Sequence, residues 1–177
     1  MTTMPHEERR IRSGQSLALA DLLQSVFVLE AMIPSQPLWI SSPWISDLVL
    51  IDNSGRQFSA LGPSLPPRGI RLSEVLELML QKGGSVRIVT TAADSNRTFI
   101  RTAERLASDH AAMRLIIAEN FHEKGITGER FTLDGSMNLT FNGVHVNEEY
   151  VIYSTNPRVV SERRLTLLAR WPEGSEA

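Results

Sequence analysis

The stretch NFHEKGITGERFTLDGSMNLTFNGVHVNEEY, from Asn120 to Tyr150, concentrates polar side chains that suit phosphate chemistry. His122 and Lys124 stand two positions apart in a predicted strand. Positions i and i+2 of a strand point to one face, so the imidazole and the ammonium are expected to share a surface. The ammonium favours the neutral imidazole, which is a nucleophile or general base near pH 7. The ammonium itself is then available to an anion.

Residues 135–138, with the sequence GSMN, follow a predicted strand and open a short predicted helix. Free N–H groups at a helix start attract anions, and the side chains of Ser136 and Asn138 add polar groups there. Gly135 permits a tight turn. The segment therefore predicts an anion cradle. A simpler alternative is that Ser136 and Asn138 only cap the helix.

A carboxylate follows at Glu149, where the last predicted strand begins. It can accept a hydrogen bond from the second ring nitrogen of His122, which would fix the imidazole tautomer and stabilise the imidazolium. Glu148 is the alternative for this role. Either residue can also be a plain charge at a strand edge.

Strands and helices alternate on both sides of this stretch. The segments 85–91 (SVRIVTT) and 113–119 (MRLIIAE) are predicted strands, and 71–84 and 95–110 are predicted helices. A final helix is predicted over 156–171, with Pro157 in its first turn. This order favours an α/β sandwich with a mixed, largely parallel sheet and flanking helices. Residues 1–14 are predicted to be an N-terminal tail and 15–177 a single domain.

The composition excludes several classes of protein. The chain has 177 residues, a net charge of −2 and no cysteine, which excludes a disulfide scaffold and thiolate metal sites. The apolar stretch near residues 16–32 carries Asp21, Gln24 and Glu30, and is too polar to span a membrane. We therefore predict a cytoplasmic protein with no membrane partner, no cofactor and no metal.

The spacing of these residues matches a known signature. His122-Glu123-Lys124 followed by GSMN resembles the HxK(x)4D(x)6GSxN pattern of the phospholipase D superfamily. The resemblance covers roughly residues 36–155, including SSPW at 41–44. There are two departures: Glu129 replaces the usual aspartate, and one residue is missing before GSMN. That acid is structural in the family, so the resemblance still implies catalysis.

The resemblance implies a metal-independent phosphodiesterase that works through a phosphohistidine. One histidine attacks phosphorus, a second protonates the leaving oxygen, and Lys124, Ser136 and Asn138 hold the phosphate oxygens. No other histidine of the chain is followed two positions later by lysine. A homodimer with its active site at the two-fold interface would supply the second imidazole. Single-motif members of this family are often nucleases built in this way.

The sequences of residues 42–55 and 120–126 further resemble small phospholipase D-like proteins of bacterial DNA-modification and restriction clusters. Among these, the resemblance is greatest to the subunit that accompanies 7-deazaguanine DNA modification. This implies DNA as the substrate and other subunits of a defence complex as partners. Two alternatives stay open. One is a catalytically idle subunit that binds nucleic acid in a larger complex, and the other is phospholipid hydrolysis, which the single motif disfavours.

Further residues are candidates for nucleic-acid contact. Arg97, Arg101 and Arg105 recur every four positions on one predicted helix and would form a basic stripe, although a solvated stripe paired with acids explains the pattern equally. Trp44, beside Pro43, can be a stacking platform or a packing residue. His145 can touch the substrate or be a loop residue.

Overall fold

A seven-stranded sheet forms the centre of the computed structural model, which describes residues 8–13, 18–62 and 65–172. Counting a separate two-stranded pair, the described strands are β1 Glu8–Ser13, β2 Leu38–Ser41, β3 Val49–Asp52, β4 Gly69–Arg71, β5 Val86–Thr90, β6 Met113–Ile117, β7 Gly125–Thr127, β8 Thr132–Gly135 and β9 Glu149–Ser154. The order across the sheet is β1-β9-β8-β7-β2-β5-β6, and β3 pairs with β4. The helices are α1 Ala18–Met32, α2 Leu72–Gln81, α3 Arg97–Asp109, α4 Phe141–His145 and α5 Pro157–Arg170.

The sheet is mixed. Strands β2, β5 and β6 are parallel, whereas β7, β8, β9 and β1 add successive antiparallel pairs. The carboxyl ends of β2, β5, β6, β8 and β1 therefore lie at the same end of the sheet as the amino ends of β7 and β9. The predicted α/β sandwich with a mixed sheet and flanking helices is confirmed.

Both faces of the sheet are covered, which explains why its central strands are apolar throughout. Along β2, Leu38 and Ile40 belong to a large core that α1, α2 and α3 complete. Trp39 points the other way, into a smaller cluster with Phe121 and with Leu167 of α5. Helix α5 begins as predicted, with Pro157 in its first turn and the Asn156 side chain as its N-cap.

The predicted tail differs from the structure over residues 8–13. These residues form β1, which pairs antiparallel with the whole length of β9, from Glu8 opposite Ser154 to Ser13 opposite Glu149. The sequence ERRIRS is charged because β1 is an edge strand, and such charges discourage pairing with other chains. Residues 1–7 and 14–17 lie outside the described part of the chain.

No helix in the described residues is long and apolar enough to cross a membrane.

Candidate active site

The strand directions bring the predicted site residues to one end of the sheet. The segment His122–Lys124 comes just before β7, and Ser136–Asn138 comes just after β8. Glu149 is the first residue of β9, which is hydrogen-bonded to β8. The loop 42–45, with Trp44, follows β2 at the same end. Residues spread over more than a hundred positions are therefore neighbours.

His122 and Lys124 lie outside the strand that was predicted for them, because β7 begins only at Gly125. The expectation that they share one face of a strand is wrong. Instead, the Lys124 ammonium turns back and donates to the main-chain carbonyl of His122 at 2.9 Å. His122 is exposed, and the Lys124 carbonyl accepts from the Gly135 N–H at 3.4 Å. The two halves of the motif are thus directly linked through the backbone.

The GSMN turn is held against β9. A Cβ at Gly135 would lie 2.0 Å from the carbonyl oxygen of Tyr150, so a larger residue would have to displace the backbone. The Ser136 N–H donates to that same carbonyl at 2.9 Å, and the Ser136 hydroxyl accepts from the Tyr150 N–H at 3.0 Å. The glycine is required here for close approach of two strands.

Glu149 is the carboxylate that the structure buries beside this turn, with 9% of its surface exposed, whereas Glu148 is exposed. Its side chain accepts a hydrogen bond from the Ser136 hydroxyl and another from Asn147 Nδ2 at 3.4 Å. Within the described residues it makes no hydrogen bond to His122. Glu149 therefore belongs to the site as the partner of Ser136, and its orienting role towards His122 stays a prediction.

Asn138 keeps unused hydrogen-bonding capacity. Its Oδ1 is buried without a hydrogen-bond partner among the described residues. The Asn138 carbonyl oxygen accepts from the Thr140 N–H at 2.8 Å and lies close to Gly143 of α4, where a Cβ would be only 2.2 Å away. An unpaired buried polar atom costs about 1–3 kcal/mol, a cost that is more often tolerated at functional sites than elsewhere.

Two supporting residues were missed by sequence reasoning. Asn96 is fully buried, and its Nδ2 donates to the carbonyls of Pro43 at 2.7 Å and Thr91 at 3.0 Å, while its Oδ1 accepts from the Ile45 N–H at 3.0 Å. Ser42 Oγ accepts from the Leu139 N–H at 2.9 Å. They tie the loop 42–45 to β5 and to the GSMN turn. A lone asparagine in a polar loop gives no signal of such a role.

Glu129, where the signature that the sequence resembles has aspartate, lies away from this end of the sheet. Glu129 accepts from the Gln36 N–H at 3.3 Å, and its own N–H donates to Ser35 Oγ at 2.8 Å. It anchors the β7–β8 turn to the segment before β2. A glutamate performs that structural task in this chain.

The candidate nucleic-acid contacts are distributed over different surfaces. Trp44 is 45% exposed on the loop after β2. On α3, Arg97 pairs with Asp94 at 2.5 Å and Arg105 with Asp109 at 3.4 Å, whereas Arg101 makes no ion pair within the described part of the chain. Arg97 and Arg101 line a cavity of about 310 Å³ at the ends of β5 and β6.

His145 lies elsewhere. Its ring centroid is 4.8 Å from that of Phe141, and it lines a cavity of about 340 Å³ together with Asp21 and Asp52. Two carboxylates make that cavity unfavourable for a phosphate. A smaller cavity of about 230 Å³ adjoins the GSMN turn and is lined by Arg12, Ser136, Glu148, Glu149 and Tyr150.

Across residues 8–13, 18–62 and 65–172, no three histidine, cysteine or carboxylate side chains cluster closely enough to hold a metal ion. The predicted site residues at this end of the sheet supply an imidazole, an ammonium, a hydroxyl, an amide and a buried carboxylate. Such groups can attack, bind and stabilise a phosphate.

No family model and no curated protein sequence matches the chain significantly. Several solved structures, in contrast, are similar to the chain. NucT from Helicobacter pylori has a TM-score of 0.61 at 10% identity, with 92% of this chain and 93% of NucT covered. Nuc from Salmonella typhimurium, a phospholipase D family member, has a TM-score of 0.59 at 16% identity over 98% of this chain and 99% of Nuc. Phosphatidylserine synthase from Haemophilus influenzae Rd KW20 has a TM-score of 0.63 at 12% identity, over 94% of this chain and 40% of the synthase.

The chain therefore has the fold of the phospholipase D superfamily, and the resemblance found in the sequence is confirmed at the level of the fold. The narrower resemblance to a subunit of a DNA-modification cluster stays a prediction.

Proposed function

We propose that the protein is a metal-independent phosphodiesterase, specifically a nuclease that cleaves DNA as a homodimer. One observation carries the proposal: the fold brings His122–Lys124 and Ser136–Asn138, distant parts of one sequence signature, to the same end of the sheet. The proposal is further supported by the near full-length likeness to Nuc and NucT. The DNA-modification or defence context rests on the sequence resemblance alone.

The proposed reaction has two steps. A ring nitrogen of His122 attacks phosphorus, a P–N bond forms, and the P–O bond to the leaving group breaks. His122 of a second copy gives its ring proton to the leaving oxygen. Water then attacks phosphorus and loses a proton to that second imidazole. The P–N bond breaks and frees the first imidazole for another turnover.

The other residues stabilise charge. As phosphorus gains a fifth oxygen or nitrogen neighbour, negative charge builds on its non-bridging oxygens. In the proposed reaction, the Lys124 ammonium, now on a carbonyl of its own segment, and the Asn138 Nδ2 amide group stabilise that charge. The Ser136 hydroxyl donates its one proton to Glu149 and accepts from the Tyr150 N–H, so in this arrangement Ser136 fixes the turn that carries Asn138.

The proposed path of a nucleic-acid strand follows the exposed groups at this end of the sheet. Trp44 offers a stacking surface next to the GSMN turn, and Arg101 offers charge beyond it. Arg97 and Arg105 are weaker contacts, since each is paired with an aspartate of its own helix region. His145 is weaker because it shares its cavity with two carboxylates.

The deciding experiment incubates the pure protein with single- and double-stranded DNA, RNA and phospholipid vesicles, each with and without EDTA. We expect cleavage of DNA that EDTA does not reduce. His122→Ala should fold normally and cleave nothing, since it removes the attacking nitrogen.

Three results would contradict the proposal. They are wild-type turnover in His122→Ala, activity that EDTA removes and a divalent ion restores, and cleavage confined to phospholipid. Tight DNA binding without cleavage would instead support the idle binding subunit.

A further inference from the structure

An ionic cluster on α5 lies directly behind the two halves of the candidate site. Arg163 contacts the carboxylate of Glu123, the residue between His122 and Lys124. The same guanidinium forms an ion pair with Asp134, whose Oδ1 lies 3.0 Å from Arg163 Nε without the alignment of a hydrogen bond. Asp134 immediately precedes Gly135 of the GSMN turn. One side chain thus bridges the two motif segments.

The cluster is ordered by burial and by further contacts. Only 19% of the Arg163 side chain and 20% of the Glu123 side chain are exposed. The second oxygen of Glu123 accepts from Arg170 Nη1 at 2.6 Å, and the second oxygen of Asp134 accepts from Thr132 Oγ1 at 2.7 Å. Each carboxylate therefore has both oxygens engaged, which leaves little freedom to rotate.

The same helix also fixes the other neighbour of His122. Phe121 is buried against Trp171, with ring centroids 6.1 Å apart, and the Arg170 guanidinium lies 5.5 Å from the Phe121 ring. Residues 121 and 123 are thus held by α5, while His122 between them is exposed. This arrangement presents an imidazole to solvent from an anchored backbone.

We infer that Arg163 is a positioning residue: it sets the distance between the His122–Lys124 segment and the GSMN turn by bridging Glu123 and Asp134. The inference rests on the proposed function, because the distance matters only if both segments act on one phosphate. Arginine suits the task, since its planar fork can engage two carboxylates, whereas a lysine ammonium is a point charge on a flexible stem.

The test compares Arg163→Gln with the matched control Arg164→Gln. Arg164 is the next residue on α5 and donates to the carbonyls of Pro37 at 2.9 Å and Gln36 at 2.8 Å, beside the amino end of β2 and away from the site. Both variants lose a partly buried guanidinium that anchors the same helix. Only Arg163→Gln also loses the bridge between Glu123 and Asp134.

We expect Arg163→Gln to lower kcat on the DNA substrate by on the order of 10–10²-fold, with KM within about threefold, because small misplacements of reacting groups cost rate more than binding. Arg164→Gln should lower the melting temperature comparably but keep kcat within about twofold. Arg163→Lys should regain the melting temperature more than kcat. Asp134→Asn combined with Arg163→Gln should be no more than about twofold worse than the more damaging single substitution.

Equal kcat losses in Arg163→Gln and Arg164→Gln would overturn the inference, as would a normal kcat in Arg163→Gln or additive effects in the double variant. If Arg163→Gln does not fold, Arg163→Lys takes its place in the comparison with Arg164→Gln.

Amide chemical shifts give a second measurement that needs no activity. In Arg163→Gln or Arg163→Lys the signals of His122, Lys124 and Gly135 should move, and in Arg164→Gln they should not. If the wild type cleaves no phosphodiester, the proposed function fails, and these shifts alone decide the positioning role. Unmoved signals would reject it.

Discussion

At the scale of single residues, the site combines groups that the protein leaves available with groups that it has fully engaged. Ser136 and Glu149 satisfy each other, so their geometry is set before any ligand arrives. Within the described residues, Lys124 has only a main-chain carbonyl as its partner, and Asn138 Oδ1 has none. Since the amide oxygen can only accept, the group of Asn138 that would bind a phosphate oxygen is its Nδ2. A phosphate can offer Lys124 a charged acceptor in place of a neutral one, which is the stronger interaction.

We therefore predict that Lys124→Ala and Asn138→Ala each lower the cleavage rate by about 10²–10³-fold, the usual loss for one charge-stabilising donor. Single-turnover kinetics with saturating protein would measure it. Lys82, the one other lysine of the chain, is the matched control: its ammonium donates to the Ala31 carbonyl at 2.7 Å, and Lys82→Ala should cleave normally. Rates within twofold of wild type in the Lys124 and Asn138 variants would remove both residues from the site.

At the scale of elements, the N-terminus of α2 illustrates how a polar cluster fixes a helix start. Glu74 accepts from the Arg71 N–H at 3.0 Å and from both ends of the Arg68 guanidinium at 2.9 and 2.7 Å. The hydrogen bond from Arg68 is the main reason that the pKa of Glu74 lies below its ordinary value of 4.5. Asp47 caps the same turn by accepting from the Ser73 N–H at 2.8 Å.

Glu74→Gln should lower the free energy of unfolding at pH 7 by about 1 kcal/mol, which corresponds to roughly 2–4 °C in melting temperature. The contribution of Glu74 is present above the pKa of the unfolded chain, because folding lowers its pKa. It is lost as the pH falls through the folded value. Thermal melts between pH 7 and 3 should therefore show the two proteins converging below about pH 4.5. A constant difference across that range would show that the charge of Glu74 is irrelevant, and Glu77→Gln on the same helix is the control.

For the whole molecule, the proposed reaction needs more than one chain provides. The proposed mechanism uses two imidazoles, and only one histidine of the sequence stands in the motif. His122 is exposed at the end of the sheet, where a second copy can approach it. An isologous dimer would bring two copies of the same surface together about a two-fold axis.

A mixed dimer of wild type and His122→Ala, purified through two different tags, should have almost no activity, because neither half retains the pair of imidazoles. A dimer of two wild-type chains with the same tags should be fully active. Half of the wild-type rate in the mixed dimer would indicate independent sites. A monomer that cleaves DNA at concentrations where no dimer forms would contradict the two-chain mechanism.

Much of the fold was predictable because its signals are local. The run SVRIVTT predicted β5, which is buried on both faces, and the apolar period of LSEVLELMLQ predicted α2. Strand β1 was missed, because a charged hexapeptide has no apolar alternation and its partner β9 is far away in sequence. Hydrogen bonding to that distant strand, and not a local preference, makes residues 8–13 a strand.

Residue types and short spacings were enough to predict the candidate groups at His122, Lys124, Ser136 and Asn138, and the α/β alternation that carries them. How these groups meet depends on the tertiary structure. Glu149, the first residue of β9 and paired with Ser13, is buried, whereas Glu148 just before the strand is exposed. The links through Asn96 and Arg163 also depend on the tertiary structure. They join segments that are far apart along the chain, so the sequence has no local pattern that would predict them.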